Sequence, residues 1–352
     1  MQPIIDQLAQ TIRDAGARKQ PLRIRGAGTK DFYGGELRGD VLDTQAYSGI
    51  VDYEPTELVI TARAGTPLAE IEGTMRERGQ MLGFEPPHFG DNATLGGCVA
   101  AGLSGPRRPY AGSARDLVLG IRMLDGKGAD LRFGGQVMKN VAGYDVSRLM
   151  TGSLGTLGVL LEISLKALPL PPAESTLRRE HTAAQAVELM NAWAGKPLPI
   201  TATCHLGDHL YVRLSGAEPA VRAARQKLGG EDVEDGTAFW RQVRDHRLEL
   251  FRSGCAQWRI SLKSTSPPLA LNGPQLIEWG GALRWVAADI DPALVREQAA
   301  HAGGHATLFR GGNKRAGVFH PLTPALHALH RRLKKTFDPL GILNPGRMYT
   351  DF

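Results

Sequence analysis

Apolar residues recur along the chain at two spacings, one typical of helices and one typical of strands. The helical spacing predicts helices at 4–15, 67–78, 139–150, 182–193, 219–228, 292–302 and 324–337. Short apolar and β-branched runs predict strands at 22–25, 41–44, 57–64, 117–124, 130–133, 159–168, 199–205, 210–215, 258–263 and 283–288. This mixture, with no internal repeat, predicts the α+β class.

A proline-rich stretch, PLPPAE at 169–174, predicts the main domain boundary. Clustered prolines disfavour helix continuation and suit an extended linker. The part that follows resembles split βαβ units, and its strand order is left open. We therefore expect one domain over 1–170, a second lobe over 171–322, and a C-terminal helix and tail over 323–352.

The composition is that of a folded protein. Hydrophobic residues make up 42% and charged residues 22% of the 352 residues, which excludes wholesale disorder. The net charge of +6 is spread along the chain, so it allows an anionic ligand and does not require nucleic acid. The densest basic cluster, HRRLKK at 330–335, is interpreted as the solvated face of an amphipathic helix, with a docking surface for a partner subunit as the alternative.

The cysteine pattern and the apolar runs bear on the compartment. Cys98, Cys204 and Cys255 form no CxxC pair, which indicates a reducing compartment and argues against a cysteine-ligated cluster or zinc site in this chain. The N-terminus lacks a signal-peptide core, and no apolar run approaches the ~20 residues of a membrane span. We expect a cytoplasmic protein without a transmembrane segment, which reaches the inner membrane only through partner subunits.

Two glycine-rich turns are candidates for binding an anion. In ATLGG at 93–97, Thr94 stands where a short helix of small residues begins, so amides without intrahelical partners can point outward. A buried connector helix capped by Thr94 explains the same residues equally well. GAGT at 26–29 follows a predicted strand, but Asp31 replaces the third glycine of a GxGxxG fingerprint, and no GxxxxGK(S/T) loop occurs.

Six motifs in a fixed order give these turns a family context. They are RGAGT at 25–29, ATLGG at 93–97, YAG at 110–112, KNVAGYD at 139–145, GSLGTLGVLLEISLK at 152–166 and DPLGILNPGRM at 338–348. Together they resemble the vanillyl-alcohol-oxidase (PCMH) type of FAD-binding protein, and within it the FAD-binding subunits of bacterial glycolate oxidases. The resemblance implies a two-subdomain FAD-binding domain, an α+β cap lobe over the flavin, and a tail that returns to the FAD domain.

The resemblance also implies which residues hold FAD. Mapped by motif, the expected cofactor-binding residues are Arg25, Gly26, Ala27, Gly28, Thr29, Lys30, Thr94, Leu95, Gly96, Gly97, Gly155, Gly158, Val159, Asn344 and Arg347. The first two loops would cradle the diphosphate, 155–159 would line the adenine and ribose, and the two tail residues would approach the flavin. Glycine amides and the Lys30 cation suit a dianionic group.

Two departures from the family pattern limit the expected chemistry. Relatives that attach FAD covalently carry a His just after the first glycine loop, where this chain has Thr29, so we expect non-covalent FAD. Relatives that oxidise 2-hydroxy acids carry a metal-binding His and Glu cluster in the second half, whereas the segment 301–317 lacks its acidic part. We therefore expect no metal site and assign no catalytic residue.

The remaining candidates have structural alternatives. Three histidine pairs are not assigned to a metal site. Gly303 and Gly304 break the helix between His301 and His305, His205 and His209 are interpreted as hairpin-end residues, and His327 and His330 as surface or interface residues. His320 is the second-lobe candidate to face the flavin, with a structural loop as the alternative. Arg107 and Arg108 are expected to guard the flavin or bind an anionic substrate, with a solvent-exposed loop as the alternative. Trp240 and Trp258 are expected to be core or subunit contacts.

The resemblance finally implies a function, the FAD-binding subunit of a glycolate oxidase complex. The expected partners are a homologous FAD-containing catalytic subunit and an iron–sulfur subunit, with a small 2-hydroxy acid such as glycolate as the substrate of the complex. Two alternatives stay open, a self-sufficient FAD-dependent oxidoreductase of a small alcohol or hydroxy acid, and a non-catalytic structural subunit.

Overall fold

Two units make up the computed structural model, which describes residues 1–135 and 145–352. The first unit comprises Met1–Leu103, Ser113–Pro169 and Pro321–Phe352. The second comprises Ser104–Gly112 and Leu170–His320. The chain therefore leaves the first unit twice, and the short segment 104–112 belongs with the second unit although the sequence placed all of 1–170 together.

The elements of the described residues are numbered in chain order. The helices are α1 (Gln2–Arg18), α2 (Leu68–Glu77), α3 (Leu95–Ala101), α4 (Arg108–Ala111), α5 (Ala114–Leu117), α6 (Val146–Met150), α7 (Ala183–Ala194), α8 (Glu218–Leu228), α9 (Gly236–Arg244), α10 (Pro292–His301) and α11 (Pro324–Phe337). The strands are β1 (Leu22–Arg25), β2 (Asp40–Asp43), β3 (Ile50–Glu54), β4 (Val59–Arg63), β5 (Gln80–Met81), β6 (Val118–Leu124), β7 (Asp130–Gly134), β8 (Val159–Lys166), β9 (Leu168–Pro169), β10 (Ala173–Glu180), β11 (Ile200–Leu206), β12 (His209–Gly216), β13 (Glu231–Asp232), β14 (Gln257–Ser261), β15 (Gln275–Glu278), β16 (Leu283–Ala287) and β17 (His305–Arg310). Short 3₁₀ turns lie at Glu249–Arg252, Trp279–Gly281 and Lys314–Ala316.

The core of the first unit is built on an antiparallel sheet with the strand order β3–β4–β8–β6–β7. Its central strand β8 is buried at nearly every position, as expected for a strand covered on both faces. Helices α2 and α3 pack in one buried cluster with Ile163 of β8, and α1 packs in a second cluster with Val159. These two clusters fix the position of β8, and the turn that precedes it, 154–158, lies at the edge of the core.

A second, smaller sheet in the first unit joins the N-terminal strand to the C-terminal tail. Strands β1 and β2 pair in parallel, and Leu22 of β1 also forms a parallel bridge to Leu343. The Leu22 N–H donates to the Ile342 carbonyl at 2.7 Å, and the Asn344 N–H donates to the Leu22 carbonyl at 2.9 Å. The tail therefore lies beside β1, and the glycine loop that follows β1 starts next to it.

The second unit contains an eight-stranded antiparallel sheet with the order β13–β10–β12–β11–β15–β16–β14–β17. Helices α7 and α8 pack with the apolar residues of β11 and β12, and α10 packs with those of β14 and β17. Trp240 and Trp258 are buried, with 3% and 1% of their surfaces exposed, so the predicted core role of both is confirmed.

The α+β prediction is confirmed, and most predicted elements exist. Helix α11 has the predicted bounds, whereas α1 continues past Gly16, where the sequence predicted its end. The sequence missed β3, β5, β10, β13, β15, β17, α4, α5 and α9. The predicted linker at 169–174 is in fact strand at both ends, and of the predicted helix 139–150 the part 139–144 lies outside the described residues.

Candidate functional site

One cleft in the first unit brings together most of the residues that the motifs selected. Thirteen of the fifteen expected positions line it: Arg25, Gly26, Ala27, Gly28, Thr29, Lys30, Thr94, Gly96, Gly97, Gly155, Gly158, Asn344 and Arg347. Leu95 and Val159 are instead buried in the core, 1% and 0% exposed. The rest of the lining is mostly small or aliphatic, including Ala64, Ala100, Ala101 and Leu160. The cleft holds about 760 Å³ of space, part of it open to solvent.

The loop after β1 offers unpaired backbone donors to this cleft. The amides of Gly26, Ala27, Gly28 and Thr29 donate no hydrogen bond to any described residue. Gly28 has a φ of 73°, and a Cβ on Gly26 would clash with the Thr94 hydroxyl, so neither position accepts a larger residue without strain. A loop of this kind, with several free N–H groups, is suited to an anionic ligand.

The second loop differs from the expectation that the amides at the start of α3 point outward. The N–H groups of Leu95 and Gly96 donate to carbonyls of the segment 64–66 just after β4, at 2.9 and 2.7 Å. The Thr94 hydroxyl caps the helix by accepting from the Gly97 N–H at 3.4 Å. The prediction is wrong for these amides because the protein itself uses them, and α3 starts as a capped connector helix whose glycines line the cleft.

The third wall of the cleft is a strained turn before β8. Leu154 and Gly155 both have left-handed backbone angles, with φ of 53° and 71°. The Leu154 N–H donates to the Ala100 carbonyl at 2.8 Å, which ties the turn to α3. The Gly155 amide, in contrast, has no acceptor among the residues that the structure describes.

The two tail residues use their polar groups to hold these walls. Asn344 Oδ1 accepts from the Ile24 N–H at 2.8 Å, and Asn344 Nδ2 donates to the Leu154 carbonyl at 2.6 Å. The Arg347 guanidinium donates to the Gly35 and Tyr33 carbonyls of the loop after the first glycine turn. Burial lowers the pKa of Arg347 to about 10, so the group remains a cation at neutral pH.

Two further cations stand at the first loop. Arg25 pairs with Asp31 at 3.2 Å, and about two-fifths of the Arg25 side chain is exposed. Lys30 Nζ donates to the His88 carbonyl at 3.2 Å and lies 5.6 Å from the centre of the Phe89 ring. Both cations line the cleft, which gives it a positive border.

Lys334 is a residue whose role the sequence missed. It was assigned to the solvated face of the last helix, yet only 5% of it is exposed. Its ammonium group donates to the Thr156 carbonyl at 2.8 Å and to the Leu343 carbonyl and Asp338 Oδ2, both at 2.7 Å. The sequence did contain one indication of this pairing, because oppositely charged residues four apart on a helix, such as Lys334 and Asp338, can form an ion pair.

The histidine pairs take structural positions. His205 and His209 flank the turn of the β11–β12 hairpin, as predicted. His327 pairs with Asp351 at 2.9 Å, and both His327 and His330 contact the ring of Phe352. Within 1–135 and 145–352, no group of three or more His, Cys, Asp and Glu residues is arranged to hold a metal ion.

The segment of the second half that carries the other candidate histidines is mostly regular structure. His301 ends α10 and His305 begins β17. The His320 ring accepts from the Ala306 N–H at 3.4 Å, and burial lowers the pKa of His320 and also that of His305. These observations fit the structural alternative given for His320.

One arginine of the central stretch is buried and the other is exposed. Arg107 is buried and pairs with Glu174 at 3.1 Å. Arg108 lies over the Trp279 ring, 4.4 Å from its centre, and the Trp279 indole donates to the Gly105 carbonyl at 3.1 Å. The segment 104–112 is therefore anchored to the rest of the second unit, and the expectation of a solvent-exposed loop is wrong for Arg107.

The fold and the glycine-lined cleft define the class of protein, and comparison with known families agrees. Residues 5–134 match the FAD binding domain, and residues 310–348 match the C-terminal domain of FAD linked oxidases. The chain belongs to the FAD-linked oxidase family, and FAD is its cofactor. In the described residues, no helix is long and apolar enough to cross a membrane.

Within this family, the chain is similar to a particular subunit type. It is 50% identical over 350 residues to glycolate oxidase subunit GlcE of Escherichia coli (strain K12), a match that covers 99% of this chain and 97% of that protein. Glycolate oxidase subunit GlcD of Bacillus subtilis (strain 168) is 30% identical over 201 residues, covering 56% of this chain and 42% of that protein. The solved structure of p-cresol methylhydroxylase with bound substrate has the same fold, with a TM-score of 0.74 at 17% identity over 99% of this chain and 87% of that chain.

Proposed function

We propose that this chain is the FAD-binding subunit of a glycolate oxidase complex and that its FAD lies in the glycine-lined cleft. The observation that carries the proposal is the 50% identity to glycolate oxidase subunit GlcE over nearly the full length of both chains. We further propose that the first unit, 1–103, 113–169 and 321–352, forms the FAD-binding domain and that the second unit, 104–112 and 170–320, forms the cap lobe.

The residues of the cleft fit the chemistry of a dinucleotide. Free amides at Gly26–Thr29 would face the diphosphate, and the nearby Arg25 and Lys30 cations would balance its charge. The Gly155 amide is a further free donor on the opposite wall. We propose that Asn344 and Arg347 act by holding the cleft walls, since both already bond to the backbone.

The attachment of FAD is proposed to be non-covalent. The covalent flavin bonds that proteins form use nucleophilic side chains, and none of the described residues that line the cleft is His, Cys or Tyr. Bound FAD would supply redox chemistry, taking up two electrons and releasing them one at a time. The protein's part is then to bind, orient and shield the cofactor.

The partners are proposed from the relatives. A homologous FAD-containing subunit would oxidise the 2-hydroxy acid, and an iron–sulfur subunit would take the electrons onward. The three cysteines of this chain are free and separate, which leaves the cluster to another chain. We place the complex in the cytoplasm, with contact to the inner membrane made through its partners.

The test is a flavin spectrum of the purified chain, followed by anaerobic addition of glycolate or D-lactate. We expect a bound flavin that hot or acid denaturation releases as free FAD. We also expect bleaching by glycolate only when the partner subunits are added. A colourless chain that does not take up added FAD would refute the proposal, and bleaching of the isolated chain would favour a self-sufficient oxidoreductase.

A further inference from the structure

A buried ammonium group lies directly behind the cleft wall, on the last helix. Lys334 is one of the buried residues of the first unit and donates three hydrogen bonds, to Thr156, Asp338 and Leu343. Three is the full capacity of an ammonium group. A lysine is almost never fully buried unless its charge is paired and its N–H donors are all bonded. The Lys334 ammonium group therefore has no donor left for a further ligand.

Asp338 is the buried carboxylate that pairs with Lys334. Its side chain has no exposed surface, and besides Lys334 it accepts from the Ile342 N–H at 3.2 Å and the Leu343 N–H at 2.8 Å. The Lys334–Asp338 pair therefore links the end of α11 to the tail. Of these two residues, Lys334 also bonds to the cleft wall, through the Thr156 carbonyl.

The carbonyls on both sides of Gly155 are held from outside the turn. Asn344 holds the Leu154 carbonyl and Lys334 holds the Thr156 carbonyl. Because C=O and N–H of a trans peptide point in opposite directions, the bond from Asn344 leaves the Gly155 N–H directed away from Asn344. Two consecutive left-handed residues, one of them a leucine, are unfavourable without such support.

We infer that Lys334, together with Asp338, is a positioning residue for the FAD cleft, which fixes the turn at Gly155 so that this wall keeps its free amide available to the cofactor. The inference rests on the proposed location of FAD. Lys334 does not touch the cofactor in this role. It acts through the backbone of 154–156.

The experiment compares FAD release from purified full-length holoproteins after dilution, followed by the rise of flavin fluorescence. We expect Lys334→Met to release FAD about 10- to 100-fold faster, the range that the loss of one charged hydrogen bond can cause. Lys335→Met is the matched control, because Lys335 is the exposed neighbour on the same helix, and it should release FAD at the wild-type rate.

A second variant separates positioning from folding. Lys334→Met leaves the Asp338 carboxylate buried without its cation, which can unfold the unit. The double variant Lys334→Met/Asp338→Asn removes that charge and keeps an oxygen that can accept from the tail amides. We expect its thermal unfolding temperature without FAD to return towards wild type while FAD release stays fast and the visible spectrum of bound FAD stays altered.

The outcomes distinguish the two levels of the proposal. A folded double variant with wild-type FAD release and spectrum would overturn the positioning role and leave the proposed function intact. A wild-type chain that binds no FAD would overturn the proposed function, and the inference with it. Lys334→Arg restores a cation to this position. FAD release slower than that of Lys334→Met would support the positioning role, and a Lys334→Arg spectrum identical to that of Lys334→Met would count against it.

Discussion

Asn344 donates a 2.6 Å hydrogen bond to the carbonyl of Leu154, 190 residues earlier in the chain. Its side-chain oxygen accepts from the Ile24 N–H at 2.8 Å, so one amide joins the tail to two walls of the cleft. Only a side chain with a donor and an acceptor on the same carbon can make both bonds. The two backbone hydrogen bonds therefore explain why the NPGR motif has an asparagine at position 344.

The first prediction concerns this amide. Asn344→Ala leaves the Ile24 N–H and the Leu154 carbonyl without partners, and we expect the free energy of unfolding to fall by about 2–3 kcal/mol. The flavin content per folded chain should fall as well. Urea unfolding and the ratio of flavin to protein absorbance measure the two effects. Asn344→Asp keeps only the acceptor, and wild-type flavin content in that variant would contradict the assigned role.

The second prediction compares two helical glycines. A Cβ on Gly96 would lie 2.7 Å from the Ala64 Cβ, whereas a Cβ on Gly73 of α2 would meet nothing within 4 Å. We expect Gly96→Ala to destabilise the protein by about 1–3 kcal/mol through overpacking and to reduce flavin retention. Gly73→Ala should stabilise it by about 0.5–1 kcal/mol, since alanine favours a helix. Equal unfolding midpoints for the two variants would refute the packing argument.

The third prediction concerns thiol reactivity. Burial raises the pKa of Cys98 to about 12 and raises that of Cys204, and both side chains are inaccessible. Because the thiolate is the reactive form, we expect one thiol per native chain to react with a thiol reagent at pH 8, at the half-buried Cys255. Cys255→Ser should abolish the fast reaction. Three thiols that react quickly before denaturant is added would contradict the burial.

The fourth prediction concerns acid stability. Burial, together with Arg310 and Arg259, lowers the pKa of His246 well below its usual value, and its ring stacks on Phe251 at 4.1 Å. The unfolded chain therefore takes up a proton near pH 6.5 that the folded chain does not. The stability from the neutral ring is present above that pH and is lost as the pH falls, by at most about 1.4 kcal/mol per pH unit.

The variant His246→Phe tests this assignment because it keeps a flat ring and removes the titration. We expect its free energy of unfolding to depend less on pH between 6.5 and 5 than that of the wild type. A parallel slope in His246→Phe and wild type would refute the assignment.

Local signals explain what could be predicted from the sequence. Helix α11 has the predicted bounds because its start carries both a capping residue, Thr323, and a proline at the first position. The glycine loop after β1 was found because a strand followed by closely spaced glycines specifies its own geometry. Strand β10 was missed because its sequence, AESTLRRE, is polar and overlaps the proline-rich stretch.

Contacts between distant segments explain what could not be predicted. Lys334 has the helical position of a solvated residue, and it is buried because the carbonyls of Thr156 and Leu343 come to it from elsewhere in the chain. The amides at the start of α3 were expected to be free, and they are occupied because the end of β4 lies beside them. Neither partner is visible in a local pattern.

The division of the first unit between both ends of the chain has a consequence for biosynthesis. The second unit consists of one long continuous segment and one short one, and both are synthesised before residues 321–352. Asn344, Arg347 and Lys334 all lie in 321–352, so the cleft walls cannot be joined before that segment has been made. We therefore expect a chain truncated before residue 321 to retain no flavin.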